Sequence, residues 1–279
     1  MTQSTFVIKL GGGEGVNPEP LLQELPDLLA RGHRIVLVHG ASAAANALAD
    51  QAGLDRKQIR SPSGHLSRYT YPAMLEIFVA AAAGQVNKTL VAALQARGVN
   101  AVGLSGVDGR LLVAERKRAI RAVEHGRQRV IRDDYSGKIR EANGRVAQVL
   151  LDAGFTPVIA PVALGTQGER LNVDGDRAAA AIAAALGADA LIILTNVPGL
   201  LADFPDEASL IRRVTPETME RARAAAQGRM KRKVLAAEEA LAGGVGRAIL
   251  ADARVSNPVV TALSGQATIF LRGDSVEIQ

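Results

Sequence analysis

The chain has 279 residues, 48% of them apolar, with 33 Lys and Arg against 28 Asp and Glu and no cysteine. That apolar share supplies a sizeable core and excludes a disordered chain, and the missing thiols exclude disulfides and thiolate metal sites, so a reducing cytosol is the expected compartment. The four histidines show no metal-ligand spacing, no basic-then-apolar leader opens the sequence, and no apolar stretch is expected to reach the ~20 residues a membrane span needs.

In chain order, apolar runs predict strands over 6–10, 35–38, 101–104, 157–160, 191–194 and 248–250. Between them, periodicity predicts helices over 20–30, 43–51, from 72 towards 97, and over 146–153, 177–186 and 230–242. Strands alternating with helices of this length make βαβ units, hence a mainly parallel sheet covered on both faces and joined by right-handed crossovers. Residues 110–132 break the alternation: short β-branched pieces alternate with charge around Gly126, which predicts an antiparallel hairpin flap. The alanine runs near Ala80 and Ala178 read as closely packed helix, and a lobe boundary is placed near 165–168.

The chemistry-bearing residues follow the strand ends. Lys9 closes the first apolar strand and is followed by Gly11, Gly12 and Gly13. Glycines let backbone N–H groups approach a phosphate, and a lysine in an apolar strand needs a partner. The lysine precedes the glycines, so this is no Walker A loop, nor is the dinucleotide spacing met. By itself such a run is more often a tight turn. Gly40, Ala41 and Ser42 open the second helix, whose free N–H groups favour an anion, although plain capping by Ser42 accounts for them equally. Arg68 stands before a Pro-initiated helix, either as a carboxylate fork or as a surface arginine. Asn172, Asp174 and Asp176 precede another helix, where either aspartate could be its cap. Thr195 and Asn196 end a strand, where open α/β sheets bind ligands, and Lys233 lies in QGRMKRKV. Two lysines organised by one aspartate would be a sufficient apparatus for phosphoryl transfer, which needs positioned positive charge rather than a nucleophilic side chain.

Charge is unevenly placed. Residues 1–150 hold 20 basic and 13 acidic side chains, residues 151–279 hold 13 and 15, and the stretch 109–132 alone holds eight basic against two acidic. With no Trp, three Tyr and five Phe, stacking platforms for nucleic acid are scarce, so an acidic protein or anionic substrate is the expected partner. A merely solvated basic hairpin is the alternative.

Taken together, Lys9-Leu10-Gly11-Gly12, His39-Gly40, Arg68-Tyr69-Thr70, AVGLSGVDG from Ala101, residues 172–176, TNVPGLL from Thr195 and GRMKRK ending at Lys233 resemble, in order and spacing, the amino acid kinase family, and within it the acetylglutamate kinase-like members. The resemblance covers essentially the whole chain. It implies an α/β fold, an αβα three-layer sandwich on a mainly parallel sheet. One continuous fold would hold an acceptor-binding lobe with the flap over 1–170 and an ATP-binding lobe over 171–279. It implies ATP and Mg2+, with Lys9, Lys233 and Asp176 catalytic and Gly11 and Gly12 binding phosphate. Gly40, Ala41, Ser42, Arg68 and Asn172 would bind the acceptor, and Thr195, Asn196, Gly199, Leu201, Gly228, Arg229 and Met230 the nucleotide. Two positions depart from the family pattern: Asn196 replaces a more common aspartate, and Ala41 replaces a glycine, at a cost of about 1 kcal/mol if that position needs a positive φ.

The QGRMKRKV, TNVPGLLADFPDEASLI and SGVDGRLL strings are most similar to the branch of the family that phosphorylates the side-chain carboxylate of 2-aminoadipate carried on a small acidic amino-group carrier protein. That resemblance implies lysine biosynthesis, with Arg116, Lys117, Arg118 and Arg121 docking the carrier. Because the chain opens at its first strand, a homodimer without arginine feedback is expected, in the cytoplasm, with neither nucleic acid nor membrane as partner. The rival readings are an N-acetylglutamate or carrier-linked glutamate kinase of arginine biosynthesis and, more remotely, a non-catalytic nucleotide-binding sensor.

Overall fold

The computed structural model describes residues 3–60, 66–124 and 127–273, the side chains of 123, 124, 127 and 128 excepted. Strand β1 (Thr5–Leu10) is apolar between Phe6 and Leu10 save for Lys9, and such a run needs cover on both faces. It pairs in parallel with β2 (Arg34–His39) on one side and β13 (Ala190–Thr195) on the other. Strand alternation then sorts the core into two layers. Val7, Val36, Val38 and Ile193 pack in one, and Phe6, Ile8, Leu10, Leu37 and Ile192 in the other. Lys9, two residues from Val7, shares the first face.

The central sheet has eight strands in the order β14 (Arg213–Val214), β16 (Thr268–Leu271), β15 (Arg247–Asp252), β13, β1, β2, β10 (Thr156–Ala160) and β5 (Ala101–Ser105). From β15 to β5 every pair is parallel; β16 runs antiparallel to β15, and β14 parallel to β16. The first face is covered by α5 (Arg145–Asp152), α6 (Gly175–Ala185), α7 (Met219–Ala225) and α8 (Met230–Ala242), the second by α1 (Glu19–Ala30), α4 (Asn87–Gln95) and α9 (Pro258–Leu263). This is the expected αβα sandwich. The alanine run of α6 is used for close packing, since Ala178, Ala179, Ala180 and Ala183 are buried with Ala236, Ala237 and Ala240 of α8.

The long run from Pro72 forms α3 (Pro72–Val79), a π-helical segment (Ala80–Val86) and α4, packing with α2 (Ser42–Gln51). The π winding carried no sequence signal. Contrary to the expectation that no stretch reaches membrane length, Pro72–Gln95 passes on length and composition, with a mean hydropathy of 1.5. Met74, Phe78, Ala81, Ala82, Leu90 and Leu94 spend that apolar character on the protein's own core.

The flap also needs correcting. Its first piece, β6 (Leu112–Arg116), is not an arm of an exposed hairpin: it belongs to a second sheet of order β12 (Arg170–Asn172), β11 (Val162–Gly165), β6 and β9 (Gly137–Ala142). Leu112, Val113 and Ala114 are buried there, which is why the sequence places apolar residues at consecutive positions. The hairpin proper is β7 (Ile120–Glu124) with β8 (Arg127–Ile131), and the turn expected around Gly126 lies outside the described residues. Residues 165–168 form the turn between β11 and β12. A further hairpin, β3 (Gln58–Arg60) with β4 (Leu66–Arg68), packs on the flap: Ile59, Ala122 and Ile131 form a small core with Tyr69 and Ile120.

Candidate active site

Lys9 leaves β1 on the face covered by α6, and α6 opens with the carboxylate that meets it. Lys9 Nζ lies 2.8 Å from Asp176 Oδ1, and Lys233 Nζ, from the first turns of α8, donates to both oxygens of the same carboxylate at 3.3 and 3.2 Å. Lys9 and Asp176 are each only 7% exposed. Burial alone would push the Asp176 carboxyl up; the two ammonium groups outweigh it and hold it well below the usual carboxylate range. Burial, aided by Lys9, pulls Lys233 down against the attraction of Asp176. Two cations and one anion leave net positive charge in a desolvated site. That costs free energy until a phosphate anion enters, and it favours the charge that accumulates on a transferring phosphoryl group.

The ambiguity between the two aspartates is resolved by geometry. Asp174 is the cap of α6, accepting from Asp176 N at 3.0 Å and Arg177 N at 3.1 Å, which frees Asp176 for the lysines.

The glycine loop lies against the start of α2. A Cβ built on Gly12 would fall 2.0 Å from the carbonyl carbon of Gly40 and 2.3 Å from Ala41 N, so the two backbones meet where no side chain fits. Ser42 Oγ and Ala43 N both donate to Gly12 O, at 2.8 and 2.7 Å, and Gly40 N donates to Leu10 O. The Ser42 hydroxyl is therefore engaged in tying the loops together. Ala41 adopts φ −144°, so the condition under which alanine would be strained is not met. Gly175, the first residue of α6, also lies beside Lys9, and Arg229, the cap of α8, reaches Gly13. The N-termini of α2, α6 and α8 thus converge on one locus, adding backbone donors and dipoles to the lysines.

Arg68 sits beside this cradle, its guanidinium donating to Ser42 O at 3.2 Å and Asn46 Oδ1 at 2.6 Å. Asn172 donates to Thr70 Oγ1 at 3.0 Å, two residues from Arg68. On the other side of β1, Thr195 ends β13 and accepts from Ala253 N, with Asn196 exposed just beyond. Gly199 has a packing reason: a Cβ there would lie 2.5 Å from Thr268 Oγ1. Leu201 is buried and bridges Leu210, while Gly228 takes φ 50° immediately before Arg229 and Met230. Of the four basic flap residues, Arg116 is engaged internally, donating to the carbonyls of Asp134 and Arg132 and lying 3.6 Å over the Tyr135 ring. Lys117, Arg118 and Arg121 are exposed.

Several residues of this region were not anticipated. Asp134 is fully buried and accepts from Thr70 N at 2.9 Å and Ser136 N at 2.7 Å, pinning the flap base to the Arg68 loop. Its signal was a pair of acids, Asp133 and Asp134, ending a basic stretch. Arg232, next to Lys233, reaches Leu66 O at 2.5 Å and Asp174 Oδ2 at 3.4 Å, joining α8 to the β3–β4 hairpin.

The sequence matches the amino acid kinase family over residues 4–252. The chain belongs to that family. It is 48% identical over 266 residues to LysW-aminoadipate kinase of Thermus thermophilus, covering 95% of this chain and 99% of the relative. It is 35% identical over 272 residues to LysW-aminoadipate/LysW-glutamate kinase of Saccharolobus solfataricus, covering 96% and 100%. Carbamate kinase from Giardia lamblia, solved bound to AMP-PNP, superposes with a TM-score of 0.68 at 18% identity over 97% of this chain and 99% of its own, a likeness of fold. As an amino acid kinase the protein is a phosphotransferase that uses ATP. Among the described residues no group of three or more His, Cys, Asp and Glu side chains is placed to hold a metal ion. Asp176, the carboxylate of the site, is engaged by both ammonium groups, so a magnesium ion there would have to be carried by phosphate oxygens.

Proposed function

We propose that the protein transfers the γ-phosphoryl group of ATP to the side-chain carboxylate of 2-aminoadipate linked to a small acidic carrier protein, giving an acyl phosphate and ADP in lysine biosynthesis. A carboxylate oxygen forms the new bond to phosphorus as the bond to the β,γ-bridging oxygen breaks, and the leaving electron pair stays on ADP. Lys9 and Lys233 neutralise the migrating phosphoryl oxygens and the leaving β-phosphate, Asp176 fixes both ammonium groups, and the N–H groups around Gly12 and Ala41 cradle the γ-oxygens. Magnesium, when bound to the phosphates, supplies further charge neutralisation. Arg68 and Asn172 grip the acceptor, the loops at 195–201 and 228–230 hold the nucleotide, and the acceptor and nucleotide portions divide near residue 170.

The observation that supports the carrier-linked reading is the packing of the β7–β8 flap on the hairpin that bears Arg68, with Arg121 exposed on β7 and Lys117 and Arg118 exposed just before it. A free amino-acid derivative needs a carboxylate fork; an acidic protein uses a basic face as well. The relatives named above for LysW-linked substrates support the same choice. A homodimer in the cytoplasm completes the proposal, to be checked by light scattering and fractionation.

The test is ADP release with carrier-linked aminoadipate, carrier-linked glutamate and free N-acetylglutamate, each at low and high salt. Efficient, salt-weakened turnover of the carrier-linked aminoadipate is expected. Salt-insensitive turnover of free acetylglutamate would replace this reading with that of an acetylglutamate kinase. Preference for carrier-linked glutamate is the second reading, favoured by the S. solfataricus relative named for both acceptors; one methylene discriminates by only about 1–3 kcal/mol.

A further inference from the structure

Beneath the phosphate cradle lies a buried polar cluster that the phosphoryl-transfer apparatus does not account for. His39 ends β2 with no exposure to solvent, and its Nδ1 lies 3.2 Å from the carbonyl oxygen of Gly40. A carbonyl only accepts, so Nδ1 carries the proton. In a neutral ring Nε2 is then an acceptor, and Asn87 Nδ2 donates to it at 3.1 Å. Asn87 cannot turn its amide round. Nδ2 also faces the carbonyls of Val158 at 2.9 Å and Leu104 at 3.2 Å, while Oδ1 accepts from Lys88 Nζ at 3.0 Å. A second ring proton would point at an NH2 group, and the positive Lys9 and Lys88 nearby oppose it too. Burial, with these charges, pulls His39 down to about 4.

The surrounding backbone is arranged to admit this cluster. Asn87 follows directly on the π-helical segment, a winding that recurs at functional sites because it re-aims side chains. Gly103 of β5 leaves the space: a Cβ there would fall 2.1 Å from Asn87 Oδ1 and 2.5 Å from Lys88 Nζ. The consequence reaches the cradle through one peptide plane. The C=O of Gly40 and the N–H of Ala41 belong to the same trans peptide and point in opposite directions. Holding the carbonyl on His39 therefore turns the Ala41 N–H away from the ring, at the start of α2 beside Gly12.

We propose that His39 and Asn87 are a positioning pair for phosphoryl transfer, a tautomer lock that fixes the Gly40–Ala41 peptide with its N–H presented to the migrating phosphoryl group. The inference rests on the phosphotransferase reading but not on the identity of the acceptor.

The test uses two substitutions of similar polarity. The amide nitrogen of an asparagine side chain falls where Nδ1 lies, that of glutamine where Nε2 lies. His39→Asn is expected to keep kcat within about threefold, and His39→Gln to lower it about 10- to 100-fold with KM for ATP within about twofold, a fraction of what removing an oxyanion donor outright costs. Binding of MgADP with aluminium fluoride, which needs no acceptor, is expected to weaken in His39→Gln and not in His39→Asn. That readout separates failure of this inference from failure of the acceptor assignment. Both variants are compared at matched thermal stability, and ¹⁵N shifts of the imidazole in the wild-type protein report the tautomer directly. Equal loss in the two variants, an unaffected His39→Gln, or a ring bearing its proton on Nε2 would overturn the proposal.

Discussion

Gly12 and Gly40 touch backbone to backbone, and neither position has room for one more carbon: a Cβ on Gly12 would fall 2.0 Å from the Gly40 carbonyl carbon, and one on Gly40 would fall 2.6 Å from Gly12 N. Gly12→Ala must therefore push the two loops apart and spread the N–H groups around the cradle. Activity is expected to fall at least 100-fold, more than the change in melting temperature accounts for, since one misplaced oxyanion donor alone is worth about 10²–10³ in kcat. Gly15, with no atom within 4 Å of a built Cβ but φ 76°, is the contrasting case: Gly15→Ala is expected to cost about 1 kcal/mol in stability, read by urea denaturation.

The shared carboxylate makes a graded prediction. Lys9→Ala or Lys233→Ala is expected to lower kcat by orders of magnitude with a modest change in ATP affinity, because each ammonium acts mainly on charge that develops in the transition state. Asp176→Ala leaves two buried ammonium groups facing each other, so it is expected to lose activity and, in addition, to destabilise the fold by about 3–5 kcal/mol. Steady-state kinetics and denaturant unfolding separate the two effects. Near-wild-type turnover in either lysine variant would remove that lysine from the mechanism.

Asp174 is expected to behave differently from its neighbour. It caps α6 and meets Arg232, so Asp174→Ala is expected to cost about 1 kcal/mol of stability, while Asp174→Asn, an equally good cap, costs a few tenths. Thermal melts of the pair test the assignment. Equal losses for Asn and Ala would mean that the charge, not the cap, is what matters there.

Stability should also depend on pH through His39. Its folded-state pKa, about 4, lies below the ~6.5 of an unfolded histidine, so between these values the unfolded chain binds more protons. Stability is therefore full above about pH 6.5 and declines as pH falls towards 4, by up to about 3 kcal/mol. Asp176, also depressed, adds its loss only below the ordinary carboxylate range. Urea unfolding at a series of pH values is expected to show the first decline in the wild-type protein and its absence in His39→Asn. A wild-type profile flat from pH 6.5 to 4.5 would contradict the burial of a neutral ring.

The sequence by itself determined the layers and the inventory of charges. Alternating apolar strands and helices could be satisfied only by a sheet covered on both faces, and a lysine in an otherwise apolar strand demanded a buried partner. Strand-end positions placed Lys9, the Gly40 loop and Thr195 along the C-terminal edge of a parallel sheet, and the resemblance assigned their roles. Chain positions left either aspartate, 174 or 176, as the helix cap, and the resemblance chose Asp176 for the lysines; the fold puts Asp174 at the cap and Asp176 in the first turn of α6, against both ammonium groups. Nor could chain positions show that β6 joins a second sheet, since a buried apolar triplet reads the same in a flap or a core. The π winding before Asn87, the contact between residues 12 and 40, and the docking of one hairpin on the other are long-range outcomes of packing. They are settled by which backbones approach closely and which buried donors find acceptors, and only the folded chain brings those groups together.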